Sequence, residues 1–354
     1  MALALLLMLP DSILVRVSAF DFRRNFRRIQ FVALVFALCL FVINAYPQSE
    51  RPIWQDLKLN ALKQSPTRCE VGIESQFLDD THLLVSNPIC TKGGIDSAYQ
   101  IAILSFDGTI SASVGLDNNS SHPYVGPRGY IFIPAGRRGW LIYDDHLHQL
   151  GSVPAQTGES ESVIVLSPSR SAVALIFTGG DGYSYPWRFV VLAGEPLERK
   201  SEYTISEGSL AISDSGSVDK SANGKARHYE FSAGEIWYFD EANNYQLSRR
   251  SSTGTITVLP DARWLSPDKT ETWCSGQIST VKPPRFLAHC AGDTSIGFGK
   301  ASVGWGHSRF VVYDAQGSTL VKKTVSGTAS VSLSPDGRLL AISGGRSIQL
   351  SHLR

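Results

Sequence analysis

The sequence predicts an all-β protein built from many short strands, and three observations carry that prediction. Of the 354 residues, 43% are hydrophobic and only 18% are charged, which is the balance of a folded globular chain. The chain has 31 glycines but only 2 methionines, a composition typical of strands joined by tight turns. Throughout the chain, short apolar runs alternate with turns rich in Ser, Pro, Asp and Gly, which is the pattern of consecutive hairpins.

The N-terminus departs from this pattern and has the charge order of an export signal. Four arginines between residues 23 and 28 precede Ile29–Ile43, an apolar run without a charged residue. Ala45 offers a small-residue cleavage site, so a mature chain would begin near Tyr46. The apolar run is shorter than the roughly 20 residues that cross a bilayer comfortably. An uncleaved anchor over residues 29–45 is the alternative, and a buried core helix is the third interpretation.

A second apolar stretch, Met1–Val15, lies ahead of the arginines and contains one charged residue, Asp11. If Met1 is the true start, two apolar segments flank a basic loop, and a hairpin in the membrane is a further alternative. We predict a signal peptide or membrane anchor over residues 1–45 and a linker over residues 46–64. The protein is therefore expected to be exported to the periplasm or beyond, touching a membrane only through its N-terminal segment.

Cysteine usage agrees with export. Setting aside Cys39 in the apolar run leaves an even count of four, namely Cys69, Cys90, Cys274 and Cys290. Their order in the chain suggests that the first two pair and the last two pair, although four cysteines permit three connectivities. Such bonds persist in an oxidising compartment. Buried free thiols are the alternative, because the spacings do not match a zinc framework.

Two kinds of segment recur along the chain. The first is an apolar residue, a turn rich in Ser, Pro, Asp or Gly, and a second apolar run. Its copies are Leu333–Ile342, Leu265–Cys274, Leu166–Leu175 and, more loosely, Phe77–Val85. The second kind is an apolar run followed by a turn and an alternating strand. Its equivalent turn positions are Asp107, Asp144, Ala193, Asp240 and Asp314.

Those turn positions are spaced by 37, 49, 47 and 74 residues. Because the last interval is twice the first, it has room for one additional unit near Gly276. A terminal unit ending at Arg354 then makes about seven units of four strands, with six as the alternative count because Val258–His307 is irregular. A period of 40 to 50 residues is the signature of a circular repeat architecture.

The segment Leu333–Gly345 and its weaker copies resemble the WD-repeat-like and TolB-like group of β-propellers. The resemblance covers most of Ser65–Arg354, and it implies a propeller domain over residues 65–354, of the kind found in exported bacterial proteins. The final strand, Ser347–Arg354, would leave an open edge. The alternating segment Pro52–Leu59 could pair there and join the two ends of the ring.

The cluster Asp144-Asp145-His146-Leu147-His148 combines two carboxylates with two imidazoles. We interpret it as a polar turn at the rim, because the matching positions Asp107 and Asp314 also lie in turns. Histidines two apart share a side only in regular β structure, and these directly follow a turn. We therefore predict no metal and no cofactor.

Aromatic residues give the one candidate ligand surface. Tyr183, Tyr185 and Trp187 cluster in a Gly-rich connection, where exposed aromatic rings could bind a sugar, a peptide or a partner loop. Packing of these rings between adjacent sheets is the alternative.

Function is predicted only as a class. With 33 basic and 32 acidic residues the chain has no field that favours nucleic acid, so no nucleic-acid partner is expected. A propeller fold hosts binding proteins and enzymes alike. We favour a noncatalytic module that binds a protein, peptide or glycan. The alternative is a hydrolase or lyase acting on a glycan, peptide or lactone, with its catalytic residues gathered at the central channel.

Overall fold

The computed structural model describes the propeller part of the chain with gaps. The described residues are 54–64, 72–90, 96–117, 122–167, 170–179, 186–205, 211–212, 216, 218–219, 226–232, 235–240, 246–251, 255–263, 273–279, 283–298, 301–327 and 329–353. The N-terminal apolar run Ile29–Ile43 lies outside them. Among these residues, no helix has the length and apolar character that a membrane crossing requires.

The described strands form six four-stranded antiparallel sheets, which we number as blades in chain order, and one two-stranded sheet. Blade 1 contains β2 (Glu74–Phe77), β3 (His82–Cys90), β4 (Asp96–Ser105) and β5 (Ile110–Asp117). Blade 2 contains β6 (Tyr124–Val125), β7 (Ile131–Pro134), β8 (Trp140–Tyr143) and β9 (Gln149–Val153). Blade 3 contains β10 (Glu159–Leu166), β11 (Ala172–Gly179), β12 (Trp187–Ala193) and β13 (Glu198–Ile205).

The second half of the chain repeats this arrangement after a short insertion. The insertion contains the two-stranded sheet of β14 (Ala211–Ile212) and β15 (Val218–Asp219). Blade 4 contains β16 (Ala226–Ser232), β17 (Glu235–Asp240), β18 (Gln246–Arg250) and β19 (Ile256–Arg263). Blade 5 contains β20 (Trp273–Ile278), β21 (Phe286–Phe298), β22 (Ala301–Tyr313) and β23 (Thr319–Ser326). Blade 6 contains β24 (Ser330–Leu333), β25 (Leu339–Gly344), β26 (Ser347–His352) and the N-terminal strand β1 (Trp54–Asp56). Two short 3-10 turns, Pro127–Gly129 and Gly136–Arg138, flank β7.

The chain is a β-propeller. The first strands of neighbouring blades contact one another at β24 with β2, β2 with β6, β16 with β20, and β20 with β24. The first strand of each blade is therefore the innermost, and the later strands lie progressively farther out.

The first and last described strands close the ring. β1 pairs antiparallel with β26, with Trp54 opposite Ser351, so a strand from the N-terminal side becomes the outermost strand of blade 6. Trp54 also packs edge-on against Phe310 of blade 5, with ring centroids 6.5 Å apart. Just after β1, Leu57 is buried with residues of blades 1 and 6. One short segment thus contacts three blades.

The sequence-based count of about seven blades is not confirmed, because the described residues form six four-stranded sheets. Asp107, Asp144 and Asp314 lie between the third and fourth strands of their blades, whereas Asp240 ends β17, the second strand of blade 4. This shift by one strand lengthens the interval before Asp314, and the two 13-residue strands of blade 5 lengthen it further. Gly276, assigned to an additional unit, lies in β20 of blade 5.

Most of the repeated Ser-Pro segments are turns between the first and second strands. In blade 3 the Ser167 hydroxyl accepts the Ala172 backbone N–H at 3.0 Å, and in blade 6 the Ser334 hydroxyl accepts the Leu339 N–H at 2.9 Å. Blade 5 has the same bond in a longer turn that starts at Ser279. Of the segment Leu265–Cys274, residues 265–272 lie outside the described residues, and its last two residues begin β20, the first strand of blade 5.

Large apolar side chains fill the wedges between blades. Trp140 and Phe132 of blade 2 are fully buried against Phe177 and Val190 of blade 3. The Trp140 indole N–H donates to the Ile176 carbonyl at 3.3 Å, so its polar atom is satisfied inside the core. Burying each such side chain stabilises the fold by about 2–3 kcal/mol.

Glutamine side chains satisfy the inner edges of the sheets. An innermost strand has a sheet partner on one side only, so its remaining N–H groups need other acceptors. Gln76 of blade 1 accepts the Val125 N–H of blade 2 at 3.3 Å and donates to the Pro123 carbonyl at 2.7 Å. Gln277 of blade 5 likewise accepts the Leu333 N–H of blade 6 at 2.8 Å. Each glutamine joins its blade to the next one along the chain.

We expect Gln277→Leu to lower the free energy of unfolding by about 1–2 kcal/mol, because the buried Leu333 N–H loses its acceptor. Urea unfolding followed by tryptophan fluorescence measures the change. Gln316→Leu, in an exposed turn of blade 5, is the matched control and should change stability by less than about 0.5 kcal/mol. Equal effects of the two substitutions would contradict the role given to Gln277.

Candidate functional site

The propeller has two chemically different faces. In an antiparallel blade, the first-to-second and third-to-fourth turns lie at one end and the second-to-third connections at the other. We call these ends the turn face and the ribbon face. Neighbouring turns on the turn face bond to one another. The Asp336 N–H donates to the Asp80 carboxylate at 3.1 Å, and Arg285 donates to the Gly337 carbonyl at 2.8 Å.

The ribbon face is dominated by one long hairpin in blade 5. β21 and β22 pair without interruption from Phe286 opposite Tyr313 to Phe298 opposite Ala301. Among the described residues, β20 pairs with β21 only as far as Ala291, and β23 pairs with β22 only as far as His307. The Gly306 carbonyl, opposite Asp293, still accepts the Gly327 N–H at 2.6 Å. The pairs from Thr294 opposite Trp305 to Phe298 opposite Ala301 therefore extend past the described neighbours on both sides. This ribbon of five residue pairs is about 17 Å long at 3.4 Å per residue.

Of the predicted aromatic surface, the structure describes Trp187, where β12 begins at the same face. The connection between β11 and β12 contains Tyr183 and Tyr185, both outside the described residues. Trp187 is the first residue of β12; it is half-buried, and its ring lies 6.5 Å from that of Phe189. It packs against the buried cluster that includes Ile212, so Trp187 contributes to packing, the alternative considered for this group.

A buried ion pair underlies this connection. The Arg188 side chain is only 8% exposed, and its Nε donates to Glu159 Oε1 at 2.8 Å while Nη2 donates to Oε2 at 2.5 Å. Nη2 also donates to the Pro154 carbonyl at 3.2 Å, and the guanidinium lies 4.0 Å from the centroid of the Phe177 ring. Arg188 therefore joins the blade 2–3 connection to blade 3 by charge, hydrogen bonds and a cation–π contact.

This pair has a defined pH dependence. The hydrogen bonds from Arg188 lower the pKa of Glu159 below its usual value near 4.5. A carboxyl group with a lowered folded-state pKa stabilises the protein fully above its unfolded pKa, and this stabilisation is lost as the pH falls through the folded value. The pair should thus contribute at neutral pH and fail in acid.

Glu161 is the most unusual carboxyl group near the ribbon face. Burial raises its pKa, despite backbone hydrogen bonds from Ala135 and Gly139 of blade 2 that lower it. Its Oε1 atom is buried and makes no hydrogen bond. Sequence reasoning missed this residue, because the charge pattern of β10 does not show which of its glutamates has an arginine partner.

The cluster Asp144–His148 lies on the turn face, between β8 and β9. The Asp144 carboxylate accepts the backbone N–H groups of His146 and His148 at 2.9 and 2.8 Å. Asp314 accepts the equivalent N–H groups in blade 5. Asp144 thus has the turn-forming role predicted for it, but the sequence analysis was wrong about the two imidazoles. Their rings are stacked on one side of the turn, with centroids 6.1 Å apart.

The described cysteines, Cys90, Cys274 and Cys290, lie on the first or second strands of blades 1 and 5. Cys90 and Cys290 are completely buried and disulfide-bonded. Cys274 lies directly opposite Cys290 in the β20–β21 register. Cys69 is outside the described residues. The pairing of Cys69 with Cys90 and of Cys274 with Cys290 remains a prediction.

Comparisons with known proteins give similarity of fold only. No protein-family profile and no curated protein sequence matches the chain. A gluconolactonase from Xanthomonas campestris is 13% identical with a TM-score of 0.41, covering 81% of this chain and 87% of its own. The Cps50 (Swd1) β-propeller domain from Myceliophteria thermophila is 11% identical with a TM-score of 0.42, over 85% and 100%. Hydrazine synthase from Kuenenia stuttgartiensis is 11% identical with a TM-score of 0.37, over 79% and 76%. Similarity at this level does not bear on function.

Arg188→Ala should lower the free energy of unfolding by about 3 kcal/mol at pH 7, because it leaves Glu159 without its partner. The difference from the parent should start to shrink as the pH falls below about 4.5, where Glu159 of the unfolded chain takes up a proton, and should shrink further as the pH approaches the lowered pKa of the folded protein. Urea titrations at pH 7 and pH 3.5 measure both effects. Arg199→Ala, at a side chain that is 58% exposed, is the control and should cost less than about 1 kcal/mol. A pH-independent loss in Arg188→Ala would show that packing, not charge, explains the effect.

Proposed function

We propose that this protein is an exported or membrane-tethered binding module that engages its partner through the ribbon face. The observation that carries the proposal is the β21–β22 ribbon, which extends five residue pairs past the neighbouring strands that the structure describes. The outer edges of such a ribbon offer backbone N–H and C=O groups to which an extended peptide can add as a further strand. The partner class that fits this feature best is therefore a protein or peptide.

The polar groups of the inner strands support binding rather than chemistry at the central channel. Gln76 and Gln277 are both bonded to the next blade. The Glu74 carboxylate is 2.6 Å from Nδ1 of His122. Burial, together with the nearby charge of Glu74, raises the pKa of Tyr124 to about 12. These side chains serve the contacts between blades, which is a structural use.

Tyr183 and Tyr185 remain part of the proposed binding surface, because their connection leaves blade 3 at the same face as the ribbon. Arg188 and Glu159 stabilise β12, the strand that follows Tyr183 and Tyr185 in the chain. Binding loops are usually positioned by a rigid scaffold of this kind.

A specific observation also supports the alternative, an enzyme acting on a glycan, peptide or lactone. Glu161 combines a raised pKa with a buried Oε1 atom that makes no hydrogen bond, and such carboxyl groups are enriched in active sites. We rank this second, because Glu161 faces the backbone of Ala135 and Gly139 rather than a second catalytic group.

Export is proposed from the arginine-flanked apolar run and from the even set of cysteines outside it. The expected product in a bacterial host is a periplasmic protein that begins near Tyr46, or a membrane-bound full-length chain. In either case the four remaining cysteines should resist alkylation until they are reduced. Fractionation followed by intact mass, with and without reduction, measures this. A cytoplasmic product with four alkylated thiols would overturn the proposed compartment.

Site-specific photo-crosslinking in the producing cell tests the binding face. A photoreactive residue at Ser295 or Ser302, on the two strands of the ribbon, should give the same covalent adduct. The same residue at Gln316, exposed on the turn face, should give none. Replacing residues 294–305 with Asn-Gly closes the hairpin at Asp293 opposite Gly306 but removes both labelled positions. The photoreactive residue is therefore also placed at Asp293, where it should give the adduct in the complete ribbon and lose it in the shortened one, with the blade still folded. Adducts at Gln316 that survive this shortening would place the partner on the other face.

A further inference from the structure

We propose that the turn Asp144–His148 on the turn face binds a divalent transition-metal ion, of which Zn²⁺ is the model. This site is independent of the proposed binding face, because the turn lies on the turn face and the ribbon lies on the opposite face. Asp144, Asp145 and His146 each present a ligand atom within 4.8 Å of the others. His148 lies beside them, and its ring is nearly parallel to that of His146, with an interplanar angle of 5°.

Comparison with the equivalent turn of blade 5 separates the needs of the fold from the additional groups. Both turns have five residues, and in both the first aspartate accepts the N–H groups of the third and fifth residues. In blade 5 the third and fifth residues are Gln316 and Ser318. The same backbone therefore forms without histidine, so the two imidazoles of blade 2 are not required by the turn.

Leu147 explains why the histidines share one side. Its φ of 60° lies in the left-handed region, which the equivalent Gly317 reaches without strain at φ 88°. The Leu147 side chain is only 7% exposed and packs in the core between blades 1 and 2. Burial of this side chain holds the strained backbone in place, and the turn at Leu147 brings His146 and His148 to the same side.

The carboxylates orient the imidazoles for metal binding. Nδ1 of His146 is 2.7 Å from Asp145 Oδ1, and Nδ1 of His148 is 3.1 Å from Asp144 Oδ2. A neutral imidazole that donates Nδ1–H to a carboxylate carries its lone pair on Nε2, which is the tautomer used by metal-ligating histidines. The two side chains are 72% and 76% exposed, so Nε2 is accessible.

The donor set selects the class of metal. With the carboxylates bonded to Nδ1, the two Nε2 atoms are the metal ligands and water fills the remaining positions. Imidazole nitrogens suit Zn²⁺, Ni²⁺ or Cu²⁺, whereas Ca²⁺ and Mg²⁺ require oxygen ligands throughout. Zinc–ligand distances of about 2.0–2.2 Å place two ligands about 3–4 Å apart. Binding thus needs the exposed imidazoles to rotate toward each other by a few ångströms, over a turn whose backbone is already held.

Isothermal titration of the full-length protein with Zn²⁺, purified in detergent without a polyhistidine tag, tests the proposal. We expect one saturable site for Zn²⁺ and no heat with Ca²⁺ at the same concentration. His146→Gln and His148→Gln should each weaken Zn²⁺ binding about tenfold or more, and the double variant should abolish this site. His82→Gln is the matched control, because His82 also pairs with an aspartate, Asp79, in a turn of the same face but has no second histidine.

Nuclear magnetic resonance of the histidine rings distinguishes this site from binding elsewhere. Zn²⁺ should shift the Nε2 resonances of His146 and His148 and leave that of His82 unchanged. Unchanged Zn²⁺ affinity in the double variant, with the variant folded by circular dichroism, would overturn the proposal. Loss of binding in His82→Gln would assign the metal to a different turn and would overturn it equally.

Discussion

Closure of the ring is the constraint on which the rest of the molecule depends. Each blade buries its two faces only against its neighbours, so an open ring would expose one face of blade 1 and one of blade 6. The segment from Trp54 to Leu57 prevents this. Trp54 pairs with Ser351 in blade 6 and packs on Phe310 in blade 5, and Leu57 is buried between blades 6 and 1. A few residues at one end of the domain thereby maintain burial at the junction of its two ends.

Closure also determines which groups remain available for function. A closed ring turns every innermost strand edge toward the axis, where it has no sheet partner, and Gln76 and Gln277 satisfy part of that requirement. The first-to-second turns meet around the same axis, and Arg285 and Asp80 bond to neighbouring turns there. Side chains near the axis of the turn face therefore serve assembly. We propose that the partner binds at the ribbon face, away from these contacts.

Strand periodicity made most of the fold predictable from the sequence, and it failed where periodicity is ambiguous. The Ser334 and Ser167 turns could be recognised because a serine hydroxyl and a proline specify a short hairpin. The alternation after Pro52 indicated a strand for the open edge, where β1 now pairs. Asp240 was misplaced by one strand, because a turn between the second and third strands has the same composition as one between the third and fourth. The count of seven blades followed from that shift together with the long β21–β22 hairpin, which made the interval large enough for an additional unit.

The candidate sites depend on features that a sequence does not express. The ribbon stands out only because its described neighbours pair no farther than Ala291 and His307, and strand ends are set by tertiary pairing. The imidazole pair depends on Leu147, a residue type that rarely has positive φ, so a rule of alternating sides could not predict that the two rings stack. Burial of the Leu147 side chain overrides its local preference. A long-range packing contact thus sets the short-range arrangement of the two imidazoles. The same five-residue turn forms in blade 5 with Gly317 and without histidine, so the turn itself does not require them.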